Sequence, residues 1–446
     1  MTTSNNLSLM ARLLVVSISL LWIFGIAQVI FPIDWVSNIM AVLLALVTVV
    51  ALPRAPWNIK LLCLFLAIGT IVIAQIYDKW GAIEEGLTRA TIFPAFLATI
   101  GLLRATADQR PEIGVARRLF TALDRERRDS GLVVGGFLVG SILQVGVFAI
   151  MAPILGRNAS ERERQEVFVA AMRGMALVPL WSPFVVGMAV ASQYLPKVPL
   201  WQIMSIGLGL SAFCIILSII CFDRKGGLLA LWKSLMTLAP VAPPIALAAM
   251  IVVGTAIWTG FSTLQALVIA MPLPCLLAVA AAPGGSISKA IEETSKRLTR
   301  IGPEIAILTF ATIIGRVFEA ALPNMGLLEW IRGINLSATA IIFFIIMFMN
   351  IMGVLAIHSI VSGTILLVLF TSIPTGISDL VLMQALLTGW GLCTAVSISS
   401  LSIVTGASMF NLPTTSLIDR SNFIYVFVGG GLCALILASI NDILVT

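Results

Sequence analysis

The chain has 446 residues, 59% of them hydrophobic and 11% charged, with a formal net charge of +6. That charged fraction is less than half the ~25% usual in soluble domains, which excludes an ordinary globular enzyme or a nucleic-acid-binding module. Six scattered cysteines, none in a Cys-x-x-Cys pair, give no disulfide or metal framework.

In chain order, apolar runs at roughly 10–30, 35–52, 58–77 and 83–106 are each long enough for a helical crossing, which takes about 20 residues. The first is too long for a signal h-region and lacks a small-residue cleavage site, so it reads as a retained span. The basic stretch Arg104–Arg128 places Ile113, Ala116, Leu119, Phe120 and Leu123 at helical spacing, as an amphipathic surface helix does. A Gly-punctuated run at 130–156 follows, then spans near 167–192 and 198–222. The second half opens on a Pro-containing connector with Lys233, then spans near 242–259 and 263–282. An amphipathic stretch at Ser286–Arg300, a span at 301–322 and a short surface helix near Leu327–Ile331 come next. A long run at 336–370 and spans near 380–410 and 422–443 complete the chain.

Two runs have the wrong length for single crossings. A crossing at 130–156 would put Arg117, Arg118, Arg125, Arg127 and Arg128 opposite Arg157, Arg162 and Arg164. A re-entrant hairpin keeps them on one side, with Gln144, Val145 and Gly146 at its tip. The run at 336–370 is read likewise. Such broken backbone is tolerated at membrane depth only where protein or a water-lined cavity satisfies it. With the N-terminus in the cytoplasm, only Lys79, Arg89, Lys197 and Arg332 of the 27 Lys and Arg fall outside, while Arg316 lies within a span. This is a strong positive-inside asymmetry.

The halves echo each other. Gly146-Val147-Phe148-Ala149-Ile150-Met151 returns as Gly353-Val354-Leu355-Ala356-Ile357-His358, and Phe96-Leu97-Ala98-Thr99-Ile100-Gly101 as Phe310-Ala311-Thr312-Ile313-Ile314-Gly315. The fold class expected is therefore an all-α polytopic membrane protein. It has about 11 transmembrane helices plus two re-entrant hairpins in an inverted repeat, a common build of secondary transporters. Residues 1–57 are N-terminal spans. Residues 58–227 form the first repeat, with its hairpin at about 130–156 and a broken span at about 167–192. Residues 228–446 form the second, with a hairpin at about 336–370 and a broken span at about 380–410.

This order of elements resembles the ion transporter superfamily, and within it the divalent anion/sodium symporters, which include dicarboxylate and citrate carriers. Thr309-Phe310-Ala311-Thr312-Ile313-Ile314-Gly315-Arg316-Val317-Phe318-Glu319, the helix from Gly326 to Ile331, and the exit Pro153-Ile154-Leu155 look like that family's text. The resemblance implies elevator-type alternating access. The family's Ser-Asn-Thr hairpin triplets, which help bind sodium and substrate carboxylate, are not matched. Leu143-Gln144-Val145 and Asn350-Ile351-Met352 stand there instead.

The candidate substrate-binding residues follow from these breaks. Gln144 and Asn350 offer amides at the expected tips, beside Gly146 and Gly353, which permit close approach. Pro179-Leu180-Trp181-Ser182-Pro183 unwinds one span and contributes Ser182 and Pro183. Its counterpart contributes Ser397, Ser399, Ser400 and Thr405. His358, the single histidine, is a candidate proton carrier. Arg316 and Glu319, three apart in an apolar span, form a candidate coupling pair. Arg173 stands at the opening of the first broken span. Capping of broken backbone and small-residue helix packing are the structural alternatives for the amides and serines. No catalytic or metal set and no cofactor is read, beyond a sodium ion or proton as coupling ion.

The function expected is secondary active transport of a small, carboxylate-type anion, coupled to a proton or sodium gradient. The alternatives are a passive anion channel and, on fewer grounds, a membrane-embedded enzyme. The partners expected are the lipid bilayer, the anion and a second copy in a homodimer, with no nucleic acid. The location expected is the inner (plasma) membrane, with the N-terminus cytoplasmic.

Overall fold

A computed structural model describes residues 9–112, 114, 115, 118, 128–155, 159–223, 227–334 and 336–445. The protein is an all-helical, polytopic membrane protein. Among the described residues, ten helices are long and apolar enough to cross a bilayer by length and composition. Large apolar side chains such as Leu61, Phe65, Ile76 and Trp258 are exposed, as suits a surface whose solvent is hydrocarbon. The five apolar positions expected on the surface helix before Arg128 lie outside the described residues. The connector with Lys233 is helical over Gly227–Leu238. Ala230, Leu231, Ser234 and Leu238 repeat at helical spacing and are buried, and this apolar stripe holds it.

The chain divides into two compact units, each drawing on both sequence halves. One comprises Met1–Gln109 and Leu267–Ile334. In it, helices Leu9–Ile30, Asp34–Ala51 and Trp57–Tyr77 precede the pair Gly81–Ala90 and Ile92–Asp108. Gly302–Ala321 runs against Gly81–Ala90 so closely that a Cβ on Gly86 would lie 2.7 Å from Ile313 Cα. Four charges cross this seam. Arg316 pairs with Glu85 at 2.5 Å and Glu319 at 3.2 Å, and Arg89 pairs with Glu319 at 3.1 Å. On the surface helix Ile287–Leu298, hydrogen bonds to Glu292 and Glu293 raise the pKa of Lys296.

The second unit comprises Arg110–Ala266 and Asn335–Thr446. Arg128–Leu143 and Glu161–Met175 run side by side in the same direction. A Cβ on Gly136 would stand 2.3 Å from Ala171 O, and one on Gly174 1.9 Å from Val133 O. Further along, Ser182 Oγ donates to Ser141 O at 3.2 Å and Gln144 Nε2 to Phe184 O at 2.6 Å. Two consecutive helices can run parallel only if the chain between them comes back. Gln144 makes that turn, with φ 49°. Phe148, four residues later, already packs against Phe168 at 4.9 Å, well back along the neighbouring helix.

The pattern recurs in Ala338–Val354 and Asp379–Cys393. A Cβ on Gly389 would meet Met349 Cβ at 2.8 Å, and one on Gly353 would meet Cys393 Cβ at 2.8 Å. Ser359–Thr371 folds back along the ingoing arm, where Phe370 meets Phe344 edge-on at 6.2 Å. The turn is at Ala356, φ 61°, not at Asn350–Met352 as the sequence suggested. Asn350 stays helical because its Nδ2 donates to Val426 O in the adjoining helix Arg420–Val445.

The parallel crossing is testable. Gly174→Ala drives a methyl into the Val133 carbonyl, and overpacking of this kind costs about 1–3 kcal/mol. Gly254→Ala, with nothing within 4 Å of its Cβ, serves as control. Thermal unfolding in detergent should show a clear fall for the first and none for the second.

Candidate functional site

Both broken helices lie in the second unit. The first runs Glu161–Met175, unwinds, and resumes at Val186–Tyr194. Ser160 and Glu163 form a capping box at its start, and Pro179 and Pro183 remove the hydrogen bonds that would carry it through. The second runs Asp379–Cys393, opens over Thr394–Ser400, and resumes at Leu401–Phe410 with Ser400 as its N-cap. No proline is present in that opening. Instead the hydroxyls compete for backbone: Thr394 Oγ1 donates to Gly391 O at 2.7 Å and Ser400 Oγ to Thr394 O at 2.9 Å.

The two breaks cross. A Cβ on Gly391 would lie 2.2 Å from Ala176 O, while Gln384 Nε2 donates to Leu180 O at 3.1 Å. Advancing along one chain means retreating along the other, so the two pieces run in opposite directions. Gln384 is fully buried and supplies a donor to a carbonyl that lost its helical partner. Its own Oε1 has no partner among the described residues. Sequence reading missed this residue. A lone Gln inside an apolar span was the only signal.

The first hairpin tip, Gln144–Gly146, packs against Leu401–Phe410 of the second broken helix. The return arm of the second hairpin packs against Val186–Tyr194 of the first. Each hairpin therefore meets the resumed half of the broken helix that follows the other hairpin. Gly187 and Gly363 both press on the Trp390 indole, where added Cβ atoms would sit 3.0 Å and 2.8 Å from its ring.

The structure distributes the expected residues as follows. Gln144 and Gly146 form the first tip. Ser182 and Pro183 are buried at the first break, where Ser182 Oγ also accepts from Phe184 N. Ser397 and Ser399 stand 3.0 Å apart in the second break, Ser400 caps, and Thr405 is half-buried one turn beyond. Asn350 is fully buried along its helix and away from the second tip. Gly353 serves a helix crossing. His358 is at the second tip, where its Nδ1 accepts from Ile360 N at 3.3 Å and caps the return arm. The neutral ring in that role carries its proton on Nε2. Arg316 and Glu319 belong to the other compact unit, where each meets an opposite charge on Gly81–Ala90. Arg173 is buried too. Its Nε donates to Asn422 Oδ1 at 3.0 Å and its Nη2 to Ser421 Oγ at 2.6 Å, and its guanidinium stacks 4.0 Å from the Phe222 centroid.

The sequence matches no protein-family profile and no curated protein. In structure the chain is similar to the YdaH transporter of Alcanivorax borkumensis. The TM-score is 0.54 at 10% identity, covering 86% of this chain and 97% of that one. At that identity the likeness is one of fold.

The capping role of His358 makes a prediction. Asn is a good N-cap and Ala is not, a difference of about 1 kcal/mol. His358→Asn should keep wild-type thermal stability, and His358→Ala should lower it. Equal stability of the two variants would mean that His358 does not cap the return arm.

Proposed function

We propose that the chain is a secondary active transporter of a small organic anion, of the carboxylate type, driven by a proton or sodium gradient. The observation that carries the reading is the meeting, within one unit, of two reversing hairpins with two crossed helix breaks. Discontinuous helices and half-helix termini are how transporters bind polar solutes inside a membrane. The opposed run of the two broken helices supports an inverted repeat. The similarity in fold to a transporter supports the class.

In this reading the solute binds among Gln144, Ser182, Ser397, Ser399 and Ser400. No Asp, Glu, Lys or Arg occurs in Ser141–Gly146, Ala176–Val186, Met352–His358 or Thr394–Ser400. Charge recognition therefore falls to backbone dipoles. Val186–Tyr194 starts inside the unit without a side-chain cap, and free N–H groups at a helix start favour negative charge. The unit with both hairpins moves with the solute while the other stays as frame. Kinship to the divalent anion/sodium symporters, a homodimer, and an inner-membrane location with a cytoplasmic N-terminus belong to the same proposal.

Counterflow in proteoliposomes, across carboxylates and inorganic anions, with and without sodium and across pH, tests it. The expected result is saturable exchange of at least one carboxylate, with Gln144→Ala weakening it about tenfold or more through one lost amide contact. Exchange of none of them would overturn the carrier reading, and unsaturable flux would make the protein a channel.

A further inference from the structure

Two of the six cysteines meet. Cys214 in Leu200–Phe222 and Cys433 in Arg420–Val445 are fully buried, and their Sγ atoms stand 3.4 Å apart. Both are free thiols. They lie 219 residues apart in sequence, so the contact is made by the fold and not by local chain geometry. A disulfide needs the sulfurs to close to about 2.05 Å, a shift of little more than an ångström.

The two helices brace different parts of the candidate site. Leu200–Phe222 backs the first break, where a Cβ on Gly207 would lie 1.9 Å from Leu180 O and Ser211 Oγ donates to Leu177 O at 3.4 Å. Arg420–Val445 backs the second hairpin, where Gly430 lies against Asn350 and Ile346 of the ingoing arm. Its first turn holds Arg173 of the first broken helix. A bond between the two sulfurs would join the brace of one repeat to the brace of the other.

We propose that Cys214 and Cys433 are a modification site: a thiol pair that a two-electron oxidant of the peroxide class converts to an intramolecular disulfide. The S–S bond forms as the peroxide O–O bond breaks. The thiols are oxidised, the peroxide is reduced, and their two protons leave in water. The product is a tether across the unit that carries both hairpins, and a thiol reductant removes it. This does not depend on what the protein transports.

The test uses the full chain in detergent or liposomes. Hydrogen peroxide is raised until exposed Cys221 is fully oxidised, remaining thiols are alkylated, and peptides are mapped without reductant. The expected result is a peptide from 200–222 joined through Cys214 to one from 420–445, lighter by two hydrogens than the sum of the two peptides with Cys221 in its oxidised form. Reductant should split it, and the Cys214→Ala variant should lack it. Cys214 and Cys433 both remaining fully alkylatable after Cys221 has reacted would overturn the proposal. Because the decisive map is made on the unmodified sequence, a poorly folding variant does not affect it.

Discussion

The structure depends on one constraint: backbone polar groups inside hydrocarbon must find partners within the protein. An unbroken helix meets it automatically. This chain turns back at Gln144 and Ala356 and interrupts two further helices, and each interruption frees N–H and C=O groups that cost several kcal/mol if left bare. The polar side chains of the second unit are placed where those groups are. Gln144 serves Phe184 O, Gln384 serves Leu180 O, Ser182 serves Ser141 O, Ser400 serves Thr394 O, and His358 receives Ile360 N. The same side chains that cap the breaks hold the hairpins and the broken helices together, so the breaks and their caps are one arrangement.

Glycine sets the other half of the geometry. The ingoing arm of each hairpin lies so close to the first half of the following broken helix that a side chain at Gly136 or Gly353 on the arm, or at Gly174 or Gly389 on the broken helix, would strike the other's backbone or a Cβ. That closeness lets a reversing chain and a broken one share hydrogen bonds. It also makes Ala356 notable. A non-glycine residue in the left-handed region costs about 1–2 kcal/mol, and here it forms the turn of the second hairpin, where Leu355 and Ile357 are exposed.

Most of the fold was legible in the sequence because its signals are additive over many residues. The apolar runs gave the helices. The arginines on both sides of 130–156 required the first reversal, and Gln144 is where it occurs. Pro179 and Pro183 announced the first break, and the run of Ser and Thr announced the second. What the sequence hid depends on partners from distant segments. Asn350 looked like a tip residue because it is a polar amide near Gly353, yet Val426 O holds it inside a helix. The true turn comes at Ala356, about one and a half helical turns later than the echo places it, and an alanine carries no turn signal. Gln384 was invisible for the same reason, since its role exists only once the Leu180 carbonyl is known to be free. Arg316 and Glu319 were read as a pair on one helix, and they do pair, but Glu85 and Arg89 complete a balanced set of four that nothing in local spacing foretold.

The two reversals, at Gln144 and at Ala356, decide the architecture. Single cysteines placed at Arg128, Ala159, Leu336 and Thr375 in a background without the native six can be labelled with a membrane-impermeant maleimide from either face. Positions 128 and 159 should react from one face, and 336 and 375 together from the opposite one. Reaction of 128 and 159 from opposite faces would mean that the segment crosses straight through, and the hairpin architecture would be wrong.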